Sequence, residues 1–189
     1  MRVEEVNADR WDDVAQVMGT NGGSAGCWCM FWRLTNQQIQ AHTADDNCAA
    51  LQAIVSSEEH PGLLLYNDDE PIGWCSVAPR PDFPRLFHTK GINPEDLDDA
   101  AVWSVVCIFV KREYRRQGVA GKLLDAAVAY AREHGAAVVE GYPVADADQG
   151  RRSGLSSGTI GLFTHAGFTR HEAPSQALSG RRVVMRRVI

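Results

Sequence analysis

Arg115, Arg116, Gly118, Gly121 and Lys122 crowd into one short stretch, Arg115-Arg116-Gln117-Gly118-Val119-Ala120-Gly121-Lys122. Cations beside glycines suit an anion, because glycine lets a ligand approach the main chain closely. Val119, Ala120, Leu123, Leu124, Ala127, Val128 and Ala131 then repeat at helical spacing, so the cations stand at the start of a helix. The first N–H groups of a helix have no intrahelical partner, and its dipole is positive at that end. Several amides therefore bind one anion together, and a phosphate or pyrophosphate is the ligand this stretch suits. Neither Gly-x-x-x-x-Gly-Lys-Ser/Thr nor Gly-x-Gly-x-x-Gly occurs, which argues against a triphosphate loop and a dinucleotide fold.

A second set of reactive groups follows in Val138-Val139-Glu140-Gly141-Tyr142. Alternation puts Glu140 on one strand face with Val138 and Tyr142. A carboxylate desolvated there has a raised pKa and serves as a base; the alternative is a structural carboxylate paired with an arginine. Cys27 and Cys29 invite a metal reading, but two thiolates are half of a tetrahedral site, and Cys48 and Cys75 are isolated in sequence. No metal is expected. Five cysteines in a chain without secretory features read as reduced thiols.

These groups need elements to position them. The run Val105-Val106-Cys107-Ile108-Phe109-Val110 is β-branched and aromatic without Gly or Pro, and reads as a buried strand feeding the helix. Residues 136–142 form the next strand, and strand–helix–strand order implies parallel pairing with a right-handed crossover. Upstream, residues 1–6 suggest a first strand, 7–18 and 44–57 helices, and 62–66 with 71–78 a hairpin around Asn67-Asp68-Asp69-Glu70. Downstream, 158–168 reads as a short helix running into a strand, and 182–188 as the last strand. Between them, Pro143 to Ser156 is a polar insertion with Asp146, Asp148, Arg151 and Arg152, a lid or a plain loop. Pro79, Pro81 and Pro84 stiffen the loop carrying Arg80 and Arg85, which suit an anionic group or lie solvated. The acidic run at 94–99 is a solvated surface or an attractor of cations.

The spacing Arg115-x-x-Gly118-x-Ala120 resembles the Arg/Gln-x-x-Gly-x-Gly/Ala motif of the GNAT superfamily of acetyl-CoA-dependent N-acetyltransferases, and Phe163 followed by Gly167-Phe168 resembles its second signature. The resemblance is firm over 102–189 and approximate over 1–101. It implies one domain over 1–189, with an N-terminal helical arm at 1–60 on the acceptor side and an acetyl-CoA-binding core at 102–189. The implied fold is α/β (α+β): a mixed, mostly antiparallel twisted sheet with flanking helices and one parallel strand pair that splays apart. Acetyl-CoA would be the co-substrate, bound by Arg115, Arg116, Gln117, Gly118, Val119, Ala120, Gly121 and Lys122, with main-chain contacts from Ile108, Phe109 and Val110. The acceptor pocket would use Trp28, Trp32, Arg33, Trp74, Arg80 and Trp103. For Cys27-Trp28-Cys29-Met30-Phe31-Trp32-Arg33, a core segment docking the first helices is the other reading.

The family's usual thiolate-protonating Tyr falls on Phe163, which has no proton to give. His165, Tyr142 or solvent would replace it, a free thiol having a pKa of about 8.5. The base position on the preceding strand falls on Ser104, a poor base, leaving Glu140. Cys107 offers a covalent route; direct transfer is the family's rule. The net charge of −5 and the lack of a long basic run argue against nucleic acid as partner. No apolar run is long enough to span a bilayer, and Met1-Arg2-Val3-Glu4-Glu5 lacks signal-peptide character, so a cytoplasmic enzyme is expected. The leading reading is a small-molecule amine acetyltransferase. Many members of the family it resembles pair as dimers, so a homodimer is one state the resemblance allows. The competing readings are a protein N-terminal or lysine acetyltransferase and a non-catalytic acyl-CoA-binding module.

Overall fold

A computed structural model describes residues 1–57, 59, 61–89, 92, 101–145, 157–171 and 182–189. The acidic run at 94–99 and residues 146–156 of the polar insertion lie outside the described residues. The strands are β1 (Arg2–Glu5), β2 (Leu63–Asn67), β3 (Glu70–Pro79), β4 (Val102–Val110), β5 (Val138–Gly141), β6 (Thr169–His171) and β7 (Val184–Val188). They form one sheet in the order β1-β2-β3-β4-β5-β7-β6. Among the described residues only β4 and β5 pair in parallel; every other neighbouring pair is antiparallel. This is the mixed sheet expected from the sequence.

The helices are α1 (Trp11–Met18), α2 (Asn36–Ala41), α3 (Ala44–Ser56), α4 (Val119–Glu133) and α5 (Ile160–His165). The apolar stripe of α4 packs Val119, Leu123, Leu124, Ala127 and Val128 onto one face of the sheet, against Cys75, Val77, Trp103 and Val105. The opposite face is covered by the N-terminal arm, through Val14, Met18, Met30, Leu51 and Val55 on Leu64, Tyr66 and Trp74. Thr35 and Thr43 each close a capping box, with Gln38 and Asp46, and so fix where α2 and α3 begin. The Pro-rich loop is not irregular: it makes two short 3₁₀ turns, Arg80–Asp82 and Pro84–His88.

Two features of β4 position the site. Its pairing with β5 runs from Val102↔Val138 to Val105↔Gly141 and stops there, while β4 continues to Val110. The two parallel strands therefore part beyond Val105. Against β3, Ser76 pairs with Cys107 and Val77 with Val105, so Val106 is skipped as a bulge. The extra residue reverses the facing of the strand. Trp103 and Val105 point to the α4 side before it, and Ile108 and Val110 after it. Val106, Cys107 and Phe109 face the arm.

Candidate active site

The opening between β4 and β5 leads into a cleft of about 590 Å³ that reaches the N-terminus of α4. Ile108, Phe109 and Val110 form its floor, and Arg115, Arg116, Gly118, Val119, Ala120 and Gly121 form one wall. Tyr114 completes that wall; Gly158, Thr159 and Leu162 line the α5 side, and Gly23 with Ser24 the arm side. Gln117 and Lys122, named with the cofactor group, are not among the lining residues. Gln117 turns its amide to Glu113 O (2.8 Å), and Lys122 is exposed.

The turn before α4 is shaped by left-handed backbone. Gly118, at the helix N-cap, has φ +77°, and Arg116 has φ +62°. A Cβ added at Gly118 or Gly121 meets no atom within 4 Å, so the first turn of α4 faces open space. Arg115 serves the fold as well as the cleft. Its Nε donates to Val110 O at 2.9 Å and its guanidinium lies over the Phe109 ring. Lys111 Nζ (3.0 Å) and Tyr114 Oη (2.6 Å) both reach Glu70 and tie the same loop to β3. Those two bonds, Tyr114's first, hold the Glu70 carboxyl below the ordinary carboxylate range. Free helix amides, open space and two arginines fit a pyrophosphate, and the parted strands fit an extended chain with an acyl end.

Next to the parting lies a buried polar network. Glu140 is 1% exposed and Arg80 is fully buried; Arg80 Nη1 reaches Glu140 Oε2 at 3.3 Å. Arg186 Nε donates to Glu140 Oε1. Tyr142 Oη donates to Glu140 Oε2 at 2.7 Å. The phenol has one proton and spends it there, so in the 2.8 Å bond with Ser104 the serine hydroxyl is the donor. Burial, then the Glu140 charge, pushes the Tyr142 phenol well above its ordinary pKa, and the group stays protonated. The carboxylate at 140 is thus paired with two arginines, the arrangement that stood beside the base reading in the sequence.

The other expected site residues are scattered. Trp28 is half-buried and stacks on Trp11 at 6.0 Å. Trp32 is buried, 6.3 Å from the Tyr142 ring. Arg33 lies over Phe83 and 3.9 Å from Asp82. Trp74 is fully buried, with its indole N–H on Cys29 Sγ. Trp103 corrects the expectation of one aromatic pocket: it faces α4, against Tyr130 and His134, across the sheet from the arm. Arg80 corrects another, since its guanidinium is spent on Glu140 inside the protein. Arg85 lies over Phe31 and donates to Phe31 O. His165 is exposed on α5, with Nδ1 on Gly161 O, apart from Glu140 and Tyr142. Phe163 is fully buried against Phe168 and Gly141.

Sequence reading missed Gly23, Ser24, Tyr114, Gly158, Thr159 and Leu162 in the cleft. Tyr114 had a signal, lying between the strand and the motif. Gly23 and Ser24 had none, because only the fold of the arm brings them to β4. Among the described residues no group of three or more His, Cys, Asp or Glu is arranged to hold a metal ion, and no helix is long and apolar enough to cross a membrane.

The profile of the Acetyltransferase (GNAT) family matches residues 28–150. The chain belongs to the GNAT acetyltransferases. It is an acyltransferase of a family that moves acetyl groups from acetyl-CoA. Solved GNAT structures share the fold at low identity. The ribosomal-protein-alanine N-acetyltransferase of Brucella melitensis is 13% identical, with 100% of each chain covered and a TM-score of 0.58. The PaiA N-acetyltransferase of Thermoplasma acidophilum, solved with coenzyme A, is 11% identical over 100% of this chain and 98% of that one, with a TM-score of 0.53. The GNAT domain of S. lividans PAT is 16% identical over 100% and 90%, with a TM-score of 0.55. No curated protein matches the chain.

Proposed function

We propose that this GNAT protein acetylates the amine of a small molecule by direct transfer from acetyl-CoA. The observation that carries the reading is the end of β4–β5 pairing at Val105↔Gly141, with a cleft running from there to the open first turn of α4. Acetyl-CoA supplies the acetyl group as an activated thioester. The amides at the start of α4, with Arg115 and Arg116 beside them, bind the pyrophosphate. The main chain of Ile108, Phe109 and Val110 binds the pantetheine and the thioester oxygen, where a donor is needed as charge develops. The acceptor enters from the arm side of the sheet, near Trp32 and Tyr142. A small acceptor is favoured by the packing there: Phe31, Trp32 and the guanidiniums of Arg85 and Arg182 fill that side with rings and cations. A protein substrate needs an open groove.

Glu140 and Tyr142 act in this reading as positioning groups. Both Glu140 oxygens are taken up by Arg80, Arg186 and Tyr142, which leaves the carboxylate engaged inside the protein, and the raised phenol pKa makes Tyr142 a hydrogen-bond donor rather than an acid. Solvent protonates the departing thiolate, and proximity supplies much of the acceleration. Chromatographic screening of amines with acetyl-CoA, reading acetylated product and free CoA directly, tests the activity. Product from one class of small amines supports the reading; product only from peptides or lysine side chains overturns it. Acetyl-CoA binding without product from any amine moves the assignment to a binding module. Glu140→Gln separates the roles of the carboxylate. A positioning group predicts a kcat/KM loss of about tenfold with an unmoved pH profile. A general base predicts a loss of about 10²–10⁴-fold and a changed acid limb.

A further inference from the structure

The arm face of the sheet holds two thiols that the acetyl transfer does not use. Cys29 Sγ, from the arm, lies 2.9 Å from Cys107 Sγ, on β4. Both are free thiols, within reach of a disulfide bond of about 2.05 Å. The contact is built rather than incidental. Trp28 and Cys29 both have left-handed backbone, φ +46° and +55°, and such a conformation in two consecutive non-glycine residues persists only where the surroundings impose it. The turn aims Cys29 into the core, where the fully buried Trp74 donates its indole N–H to Cys29 Sγ at 3.1 Å. The two thiols also differ in access: Cys29 is buried, and Cys107 is part-exposed. The bond with Cys107, then burial, pushes the Cys29 thiol up, and the part-exposed Cys107 is the sulfur that a peroxide can reach.

We propose that Cys29 and Cys107 form a reversible dithiol–disulfide site that narrows the cofactor cleft when oxidised by a hydroperoxide. The Cys107 sulfur attacks the outer peroxide oxygen; the O–O bond breaks, the leaving oxygen takes the Cys107 proton and departs as the alcohol (water from hydrogen peroxide), and Cys107 becomes a sulfenic acid. The Cys29 sulfur then attacks the Cys107 sulfur; the S–O bond breaks, water leaves with the Cys29 proton, and the S–S bond forms. The two thiols lose two electrons, and the peroxide gains them. A reducing thiol reverses the bond.

The link to the cleft is geometric. Cys107 directly precedes Ile108 and Phe109 on the cleft floor, and Cys29 ends the turn whose Gly23 and Ser24 line the arm side. Trp28 N donates to Gly22 O at 2.9 Å and couples the two ends of that turn. Forming the bond closes the sulfurs by about 0.9 Å and draws the turn toward β4. Gly23 faces the Phe109 ring across this end of the cleft, where a Cβ built on Gly23 would lie 3.7 Å from the ring, so drawing the turn toward β4 narrows that gap. The effect on the cofactor rests on the reading of the cleft given above; the disulfide itself does not.

The test uses the full chain, treated with hydrogen peroxide, blocked with an alkylating agent, and mapped by mass spectrometry without reduction. The expected result is a cross-linked peptide pair joining Cys29 to Cys107, removed by dithiothreitol. Acetyl-CoA then binds the oxidised protein about tenfold more weakly and regains its affinity on reduction. Cys107→Ser and Cys29→Ser, each checked for folding by thermal melting, lose the cross-link and the response to peroxide. Cross-links elsewhere, or only sulfinic acid at Cys107, overturn the dithiol site. A correct cross-link with unchanged affinity overturns its control of the cleft. If the reduced protein fails to bind acetyl-CoA, the reading of the cleft fails, while the peptide map still decides the dithiol site.

Discussion

At the N-terminus of α4 the site is made of main chain, whereas across the sheet, on the arm face, it is made of side chains. The first region needs a left-handed Gly118, open amides and a strand end, all supplied by neighbours in sequence. The second gathers Arg80, Ser104, Glu140, Tyr142 and Arg186 from four separate stretches into one buried network. A backbone site depends on a few conformations, and most of its side chains can change without unfolding the protein. A network of buried charges links function to stability, because removing one member strands the others in low dielectric. The contrast predicts that mutations at the cofactor end lower cofactor binding at little cost in stability, and that mutations on the arm face lower stability and leave cofactor affinity intact in the folded protein.

The largest effect is expected at Phe163, which lies where the two regions meet. A Cβ on Gly141 would stand 2.0 Å from the Phe163 ring, so the ring fills the space beside β5. Phe163→Ala should cost about 3–5 kcal/mol, read as a lower Tm and lost acetyl-CoA binding together. Arg80→Ala should cost about 3 kcal/mol in denaturant melts, because Glu140 keeps Arg186 but loses a fully buried partner. Acetyl-CoA affinity should survive wherever the variant is folded; its loss there would break the division between the regions. Gly118→Val inverts that pattern. It should cost about 1–2 kcal/mol for the left-handed backbone and abolish acetyl-CoA binding in calorimetry, since the added branch fills the open space before α4.

The smallest effect belongs to Glu70, which ties the cofactor loop to β3. Its folded pKa is depressed by Tyr114 and Lys111. That stabilisation is therefore present above the unfolded carboxylate value of about 4.3 and is lost as pH falls through that value and below. Glu70→Gln should lower Tm slightly at about pH 7 and leave it unchanged at about pH 3 relative to the parent, a difference seen in paired thermal melts. An equal loss at both pH values would assign Glu70 to packing alone.

The same contrast explains what was legible in the sequence. The strand, loop and α4 could be read because hydrophobic period, glycine and cations lie side by side. The hairpin, the parallel pair and the last strand followed from local patterns. Glu140 and Tyr142 were found by alternation, but their partners were not, because Arg80 reaches Glu140 across 60 positions. Arg80 read as an acceptor-binding or a solvated arginine; the 3₁₀ turn at Arg80–Asp82 and the covering arm bury it. Helix α2 was missed for want of length, although Thr35 and Gln38 spell its capping box. Trp103 was grouped with the arm tryptophans by residue type, whereas its place in β4, before the bulge, sends it to the other face.

That bulge divides β4 into two independently adjustable halves. Residues before Val106 answer to the parallel pairing with β5, and residues after it answer to the cleft. If Val106 stayed in the strand but paired in regular alternation, Cys107 and Phe109 would turn to the α4 side and Ile108 and Val110 to the arm, exchanging the lining of the cleft with the core beneath α4. The strand thus works as a phase shifter: one extra residue lets a single hydrophobic run serve the core at one end and a ligand at the other.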